Sequence, residues 1–259
     1  MQIEDFFAAG LLATGVHFPS GVMDGILVTA ASGLRARMES LDLLGNNLAN
    51  AATGGYKGDR ELYALYQRGG ASPGLPTIEG QWTDFSQGTL ETTGNPLDMA
   101  LQGKGFFAVN GPTGVLYTRN GSFQLSSEGV LQTSDGYSVR LAGQQESPRL
   151  DRNLPIDVGG EGVLRQGNRV VGKLEVVGFD DPRVLSKFGK TYFQAQGGTP
   201  APATAEVVGG RIESSNVSSA ESAVRIISVL RQSEMLQKAI SLASGMGQRV
   251  VNEVAQVGQ

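Results

Sequence analysis

An α+β fold, with a helix at each end of the chain and a mainly-β domain between them, is what three features of the 259-residue sequence predict. A helical hydrophobic period runs from Met23 to Asn50 and returns after residue 225. Between these regions, short β-prone runs alternate with glycine-containing turn dipeptides. Two stretches rich in glycine, proline and small residues separate the three parts. Each terminal helix presents a seam but is marginal alone, because helical stability comes mostly from packing. The two helices are therefore expected to pack together as a coiled-coil-like stem.

Composition narrows the function. Hydrophobic residues make up 40% of the chain, enough for a core, and the net charge of −4 comes without any lysine or arginine run. Nucleic acid and anionic membranes are thereby disfavoured as partners. Glycine is abundant at 37 residues, against a usual share of about 7%, which suits turn-rich β structure. With no cysteine and a single histidine, His17, disulfides, thiolate catalysis and Cys/His zinc sites are excluded. A Ser-His-Asp triad would have to recruit His17 from the N-terminal end. No apolar run reaches the roughly 18–20 residues needed to span a bilayer, so membrane insertion is not expected.

In chain order, residues 1–22 carry a short apolar patch, but Glu4 and Asp5 stand where a signal peptide would be basic. They are read as a non-native or mobile extension. Residues 23–66 form the N-terminal seam helix and its exit segment. Leu27, Ala31, Leu34, Met38, Leu41, Gly45 and Leu48 follow alternating steps of four and three, the period of a seam. The helix ends in LDLLGNNLANAATGGYKGDR, where asparagines can satisfy free backbone groups and Gly54-Gly55 can adopt positive φ. Residues 67–80, QRGGASPGLPTIEG, read as a linker.

Residues 81–193 form the β domain. Runs such as GFFAVN, VLYTRN and KLEVVGF read as strands, and Asn120-Gly121, Glu128-Gly129 and Asp135-Gly136 mark turns. A second linker is expected at 194–210, QAQGGTPAPATAEVVGG. Residues 211–259 supply the C-terminal seam helix, with Ile226, Val229, Ser233, Leu236, Ile240, Ala243, Gly247 and Val250 on its seam. Glu213-Ser-Ser-Asn216 offers N-cap chemistry just before it.

Chemistry finds little to hold. Gln102-Gly-Lys-Gly-Phe-Phe107 resembles a phosphate cradle but lacks the rest of the Walker pattern and reads as a tight strand entry. Glu91, Asp98, Glu128 and Asp135 could supply the two carboxylates of a glycan hydrolase, yet no ligand spacing for a metal is present. No catalytic residue, cofactor or metal site is assigned. A secreted carboxylate-dependent hydrolase and a β-rich adhesin or tail-like protein stay open as alternatives to a structural subunit.

The motifs carry a specific resemblance. Ala49-Asn50-Ala51-Ala52-Thr53-Gly54-Gly55-Tyr56-Lys57 resembles the A-N-x-x-T-x-G-(F/Y)-K signature of flagellar basal-body rod and hook proteins. GNPLDMALQGKGFFAV and LYTRNGSFQLSSEGVLQTSDGY are similar to the β-domain motifs of the rod proteins. Ile212-Glu213-Ser214-Ser215-Asn216-Val217 resembles the family's entry to its C-terminal helix, and Arg231 and Glu234 fall where the family carries an Arg and a Glu. The resemblance runs from about Met23 to the C-terminus and is nearer the proximal than the distal rod branch. Ser233 departs from it, standing where an aromatic is common. Residues 1–22 have no counterpart, which places the expected translation start at Val22 or Met23.

The resemblance implies a non-enzymatic subunit of the flagellar rod, located in the periplasmic part of the basal body. It implies export through the flagellar type III apparatus without a cleaved signal, and helical assembly with itself and other rod subunits. The expected assembly interface joins Leu27, Leu34, Met38, Leu41 and Leu48 with Ile226, Val229, Leu236, Ile240 and Val250. Tyr56 and Lys57 are expected to begin the connecting segment against a neighbouring subunit.

Overall fold

The computed structural model describes residues 20–66, 75–144 and 147–257, with side chains over 28–63, 78–144, 147–246 and at 249. Helix α1 (Ser20–Ala49) is followed by β1 (Asp59–Tyr66) and β2 (Leu75–Thr83), which pair with each other. Next come β3 (Leu90–Thr92), β4 (Met99–Gln102), β5 (Phe106–Gly111), β6 (Gly114–Thr118), β7 (Phe123–Leu125), β8 (Leu131–Thr133) and β9 (Ser138–Val139). A small antiparallel sheet of β10 (Ile156–Val158), β11 (Val163–Gln166) and β12 (Arg169–Lys173) follows. The chain continues through β13 (Val176–Gly178), a one-turn 3-10 helix at Pro182–Val184, β14 (Leu185–Phe188), β15 (Tyr192–Ala195), β16 (Ala201–Pro202), β17 (Glu206–Gly209) and β18 (Arg211–Glu213). Helix α2 (Ser219–Val257) closes it. The architecture is α+β, with a helix at either end of a β-rich centre.

By contacts the chain divides into two compact units. One contains the described parts of Met1–Asp42, Glu61–Gly80 and Ile226–Gln259; the other contains Leu43–Arg60 and Gln81–Arg225. The last two turns of α1 and the first turns of α2 thus belong with the β structure.

The largest sheet runs β14-β15-β6-β5-β9-β8-β7, with β13 and β16 joined to it through β5. At its centre β5 is apolar on both faces, because successive side chains of a strand point to opposite sides. Phe107 and Val109 enter one core cluster with Met99, Leu116 and Phe123. Phe106 and Ala108 enter the other with Tyr117, Leu185 and Phe193. In that second cluster the rings meet edge to face, with Phe85 5.4 Å from Phe106 and 5.0 Å from Phe193, the arrangement that the ring quadrupole favours.

The turns sort by geometry. Gly129 (φ 80°) and Gly136 (φ 86°) close the β7–β8 and β8–β9 hairpins. Asn120-Gly121 makes no hairpin, since β6 and β7 lie at separate places in the sheet. Gly121 instead allows the backbone of β4 to pass: a Cβ there would fall 1.6 Å from the Met99 carbonyl oxygen. Gly103 (φ 106°) lets β4 turn into β5, as expected for a tight strand entry.

Both stretches read as linkers carry strand. Residues 75–80 open β2, while 67–74 lie outside the described residues. In the second stretch, β16 pairs with β13, and β17 pairs with β4 through Val207 opposite Leu101. Val207 is buried. Isolated apolar residues among small ones gave a weak pattern, and the pairing with distant β4 supplies what local propensity lacks.

On α1 the least exposed stripe is displaced by one residue, about 100° of helix rotation, from the expected seam. Ala30, Gly33, Ala36, Ser40, Leu44 and Asn47 are buried, while Leu34 and Leu41 are half-buried and Met38 and Leu48 exposed. Gly45 is also exposed, and nothing lies within 4 Å of where its Cβ would be. Small and polar side chains, joined by Leu43 and Leu44 near the helix end, thus occupy the buried stripe in place of the seam leucines. On α2, Ser222, Val229 and Ser233 are buried and Ile226, Leu236 and Ile240 half-buried, and the Ser233 hydroxyl donates to the Val229 carbonyl at 2.9 Å. The side chains of Leu27 and Val250 and the whole of residues 1–19 lie outside the described ones.

Gly121→Ala should destabilise the β domain by roughly 3 kcal/mol or more, as overpacking against rigid backbone does. Gly136→Ala, strained in φ but facing open space, should cost only about 1–2 kcal/mol. Chemical denaturation of the two variants side by side measures the difference.

Candidate functional site at the helix exit

Helix α1 ends in its own asparagines. The Asn50 side-chain amide donates to the Asn46 carbonyl and to the Asn46 side-chain oxygen, both at 2.9 Å, adding to the Asn50 backbone amide that donates to the same carbonyl at 3.2 Å. Asn47 faces the other way. It donates to the Asp59 carbonyl at 2.8 Å, and its side-chain oxygen accepts from the Asp59 amide at 3.0 Å and the Tyr56 hydroxyl at 3.1 Å. Thr53 and Ala49 are less enclosed. At Gly55 (φ 69°) the chain reverses, and its amide donates to the Glu213 carbonyl at 2.6 Å. A Cβ at Gly55 would stand 2.2 Å from the Asn120 nitrogen.

Beyond that turn, Lys57 is buried completely. Its ammonium donates to Glu213 Oε1 and to the Ser86 carbonyl, each at 2.6 Å, and neither its side chain nor that of Glu213 is exposed. The other Glu213 oxygen accepts from Arg119 at 3.2 Å, while the Gly88 amide donates to Oε1 at 2.9 Å. Arg119 also donates to the carbonyls of Gly103 at 2.7 Å and Leu101 at 3.4 Å, and lies over the Phe106 ring. Its Nε is buried without a hydrogen-bond partner. One carboxylate thus gathers two cations and a backbone amide in a site closed to water. Burial holds the Lys57 ammonium below its ordinary range, opposed in part by Glu213, and acts likewise on Arg119.

A second ion pair lies on the far side of Tyr56. Lys187 donates to Asp59 Oδ2 at 2.6 Å and to the Lys57 carbonyl at 2.8 Å, and sits 4.5 Å from the centre of the Tyr56 ring. Burial, then the charge of Asp59, pushes the Tyr56 hydroxyl up to about 12. Asn216 ties in the approach to α2: its side-chain oxygen accepts from the Gly58 amide at 2.8 Å, and its amide donates to the Asp84 carbonyl at 2.7 Å. Val217 packs where a Cβ on Gly58 would meet it at 2.6 Å. Because Asn216 is so occupied, Ser218 caps α2, its hydroxyl accepting from the Glu221 amide at 3.3 Å. Ser215 accepts from the Val217 amide.

The motif residues Gly55, Tyr56, Lys57, Glu213 and Asn216 therefore meet in one joint within the β-containing unit, just beyond the helix end that Asn50 closes. Tyr56 and Lys57 are enclosed by their own subunit, not held out for a neighbour, because Glu213 and Asn47 need them there. Arg231 and Glu234 are not brought to the joint; both are exposed on α2. Arg119, Asn47 and Lys187 were not assigned from sequence, although Arg119 stands out as a lone charge in the apolar run VLYTRN. The weighed carboxylates serve separate local contacts. Glu91 accepts from Ser214 at 2.5 Å, Asp135 from the Tyr192 hydroxyl at 2.6 Å, and Glu128 pairs with Arg149 at 3.5 Å, while Asp98 is buried at a β-bridge to Ser122.

Three segments match known family models. Residues 27–57 match the model described as flagella basal body rod protein, 100–171 that of the flagellar hook protein FlgE/F/G D1 domain, and 208–253 that of the flagellar basal body rod FlgEFG protein C-terminal. The chain is 30% identical over 244 residues to the flagellar basal-body rod protein FlgF of Caulobacter vibrioides, covering 91% of this chain and 100% of that one. It is 31% identical over 218 residues to FlgF of Mesorhizobium japonicum, covering 82% and 90%. With the rod protein FlgG of Buchnera aphidicola subsp. Schizaphis graminum it shares 29% over 255 residues, covering 85% and 95%. Lys57, Arg119 and Glu213 fall one in each matched segment.

Glu213→Gln leaves two buried cations without their anion and should cost about 3–5 kcal/mol, read as a shift in the denaturation midpoint at unchanged slope. Tyr56 predicts a pH effect. Its folded pKa lies above the ordinary 10.0, so the unfolded state loses its proton first and stability falls between about pH 10 and 12. In Tyr56→Phe that fall should be smaller, measured by denaturation across the alkaline range.

Proposed function

This chain belongs to the flagellar basal-body rod protein family, and on that premise we propose that its terminal helices polymerise with helical symmetry to form the inner tube of the rod, which transmits motor torque to the hook. It is a structural subunit of the flagellar basal body. The observation that carries the reading is similarity to rod proteins along nearly the whole chain, with the matched segments meeting at one buried ion cluster. Of the two branches, the proximal rod fits the short central region better.

The helices support assembly because they leave apolar side chains uncovered in the single subunit. Met38 on α1 is 59% exposed, and Ile227, Leu230, Met235 and Leu242 on α2 are exposed as well. In the assembled rod, Leu27, Leu34, Met38, Leu41 and Leu48 pack with Ile226, Val229, Leu236, Ile240 and Val250 in a coiled-coil-like arrangement. Separate helical and β surfaces supply the heterologous contacts that an open helical polymer requires. The partners are other rod subunits and further copies of this chain. The subunit reaches the periplasm unfolded through the flagellar type III export apparatus without a cleaved signal. With no cysteine in the chain, disulfide formation cannot trap it on the way.

Deleting the gene should abolish motility and leave basal bodies with an incomplete rod by electron microscopy. Replacing both Leu41 and Ile240 with Asp should prevent incorporation, while the near-ultraviolet circular dichroism of the β domain persists in the purified full chain. Normal incorporation of the double variant would count against the packing scheme.

A further inference from the structure

The sequence has one tryptophan, and Trp82 is 47% exposed. It is also organised. The Arg60 guanidinium lies 5.9 Å from the Trp82 ring centre and is held there by Asp84, which accepts from it at 2.8 Å. Asp84 is itself fixed by the Ser86 amide, which donates to its other oxygen at 2.9 Å. A stacked Trp–Arg pair with little conformational freedom to lose is the kind of surface feature that dominates binding energy when covered.

The same unit contains a groove of about 850 Å³, lined by residues 200–207, by Val176 and Val177, and by Glu161, Lys173 and Glu175. Its small and apolar lining, from Pro200-Ala-Pro-Ala203 onward, suits a flat aromatic ring. Its charged lining groups are three carboxylates, Glu161, Glu175 and Glu206, and one ammonium, Lys173; Glu175 is held by Arg140 at 2.8 Å, which leaves a local balance of −1 carried by the exposed Glu161 and Glu206. Glu161 and Glu206 are exposed, and Lys173 approaches Glu161 no nearer than 4.0 Å. Neither Arg60 nor Trp82 lines the groove. The subunit thus carries two different patches, an aromatic cation knob and an apolar acidic groove, complementary in shape class and in charge.

We infer that Trp82 and Arg60 of one subunit dock into the groove of a second copy of this chain, with Trp82 against the 200–205 segment and Arg60 toward Glu161 and Glu206. Such a contact is heterologous: it leaves a free knob at one end and a free groove at the other, and so propagates. The inference rests on the reading of the chain as a rod subunit and names one of its contacts outside the helical seam.

The natural chain lacks cysteine, so introduced thiols report cleanly. Basal bodies from cells carrying Gly80→Cys, two residues before Trp82 on the same strand and with open space at its Cβ, together with Ala203→Cys, oxidised and run without reductant, should give a ladder of linked trimers and higher species. Either single variant should give dimers at most. Trp82→Ala should lower incorporation several-fold, and Arg60→Glu should do the same but recover when combined with Glu161→Arg. Incorporation of the double-cysteine chain without a ladder beyond dimers, together with normal incorporation of Trp82→Ala, overturns the contact while leaving the rod reading intact. Absence of the unmodified chain from basal bodies overturns both.

Discussion

The joint where α1 ends and the chain approaches α2 is organised around the carboxylate of Glu213. It is fully buried and accepts from Lys57, Arg119 and the Gly88 amide, and these three groups come from segments far apart in sequence. Burying charge is costly unless it is paired and hydrogen-bonded. Further donors of the two cations go to the carbonyls of Ser86, Leu101 and Gly103, and Arg119 Nε alone stays buried without a partner among the described side chains. A cluster of this kind tolerates few alternative arrangements. Moving any one strand leaves a buried ion without its partner, so the charges select one geometry where an apolar patch would accept several.

The glycines around the cluster follow from the same demand. Gly55 must turn with positive φ while its backbone passes against Asn120, Gly58 must admit Val217, and Gly88 lies where a Cβ would stand 2.0 Å from the Ser214 carbonyl oxygen. Gly55 and Gly88 let main chain approach main chain, and Gly58 makes room for the Val217 side chain. Asn47 and Asn216 then act as clips, each bonding backbone on a segment remote from its own. The abundance of Gly and Asn around the helix exit, which weakens helix and strand locally, is what close convergence of three segments requires.

Legibility in the sequence followed the range of the interactions. The β-prone run GFFAVN and the turn pairs at Glu128-Gly129 and Asp135-Gly136 are local, and strands and hairpins appear there. The period in α2 is local too, and its least exposed positions Ile226, Val229, Ser233 and Leu236 lie on the stripe that spacing indicates. On α1 the leucines suggested one stripe, yet Ser40 and Asn47 are buried because their partners are polar. Ser40 donates to Glu61, and Asn47 holds Asp59. Hydrophobic spacing cannot register a face whose partners are hydrogen bonds. For the same reason, the motif around Tyr56 and Lys57 was visible as a motif but its inward orientation was not. That depends on Glu213, 156 residues further along.

Rigidity at the joint and restraint in the helices are complementary requirements. Gly45 stands exposed in α1, where alanine would favour helix by about 1 kcal/mol, and the stripe before it is built largely of Ala30, Gly33, Ala36 and Ser40. Such a stripe buries little apolar area per residue. The β core, with Phe106, Phe107 and Phe193 packed on both faces of one sheet, needs no neighbour. The Lys57–Glu213–Arg119 cluster belongs with that core, so the end of α1 and the entry to α2 are fixed by ion pairs and backbone contacts within one unit.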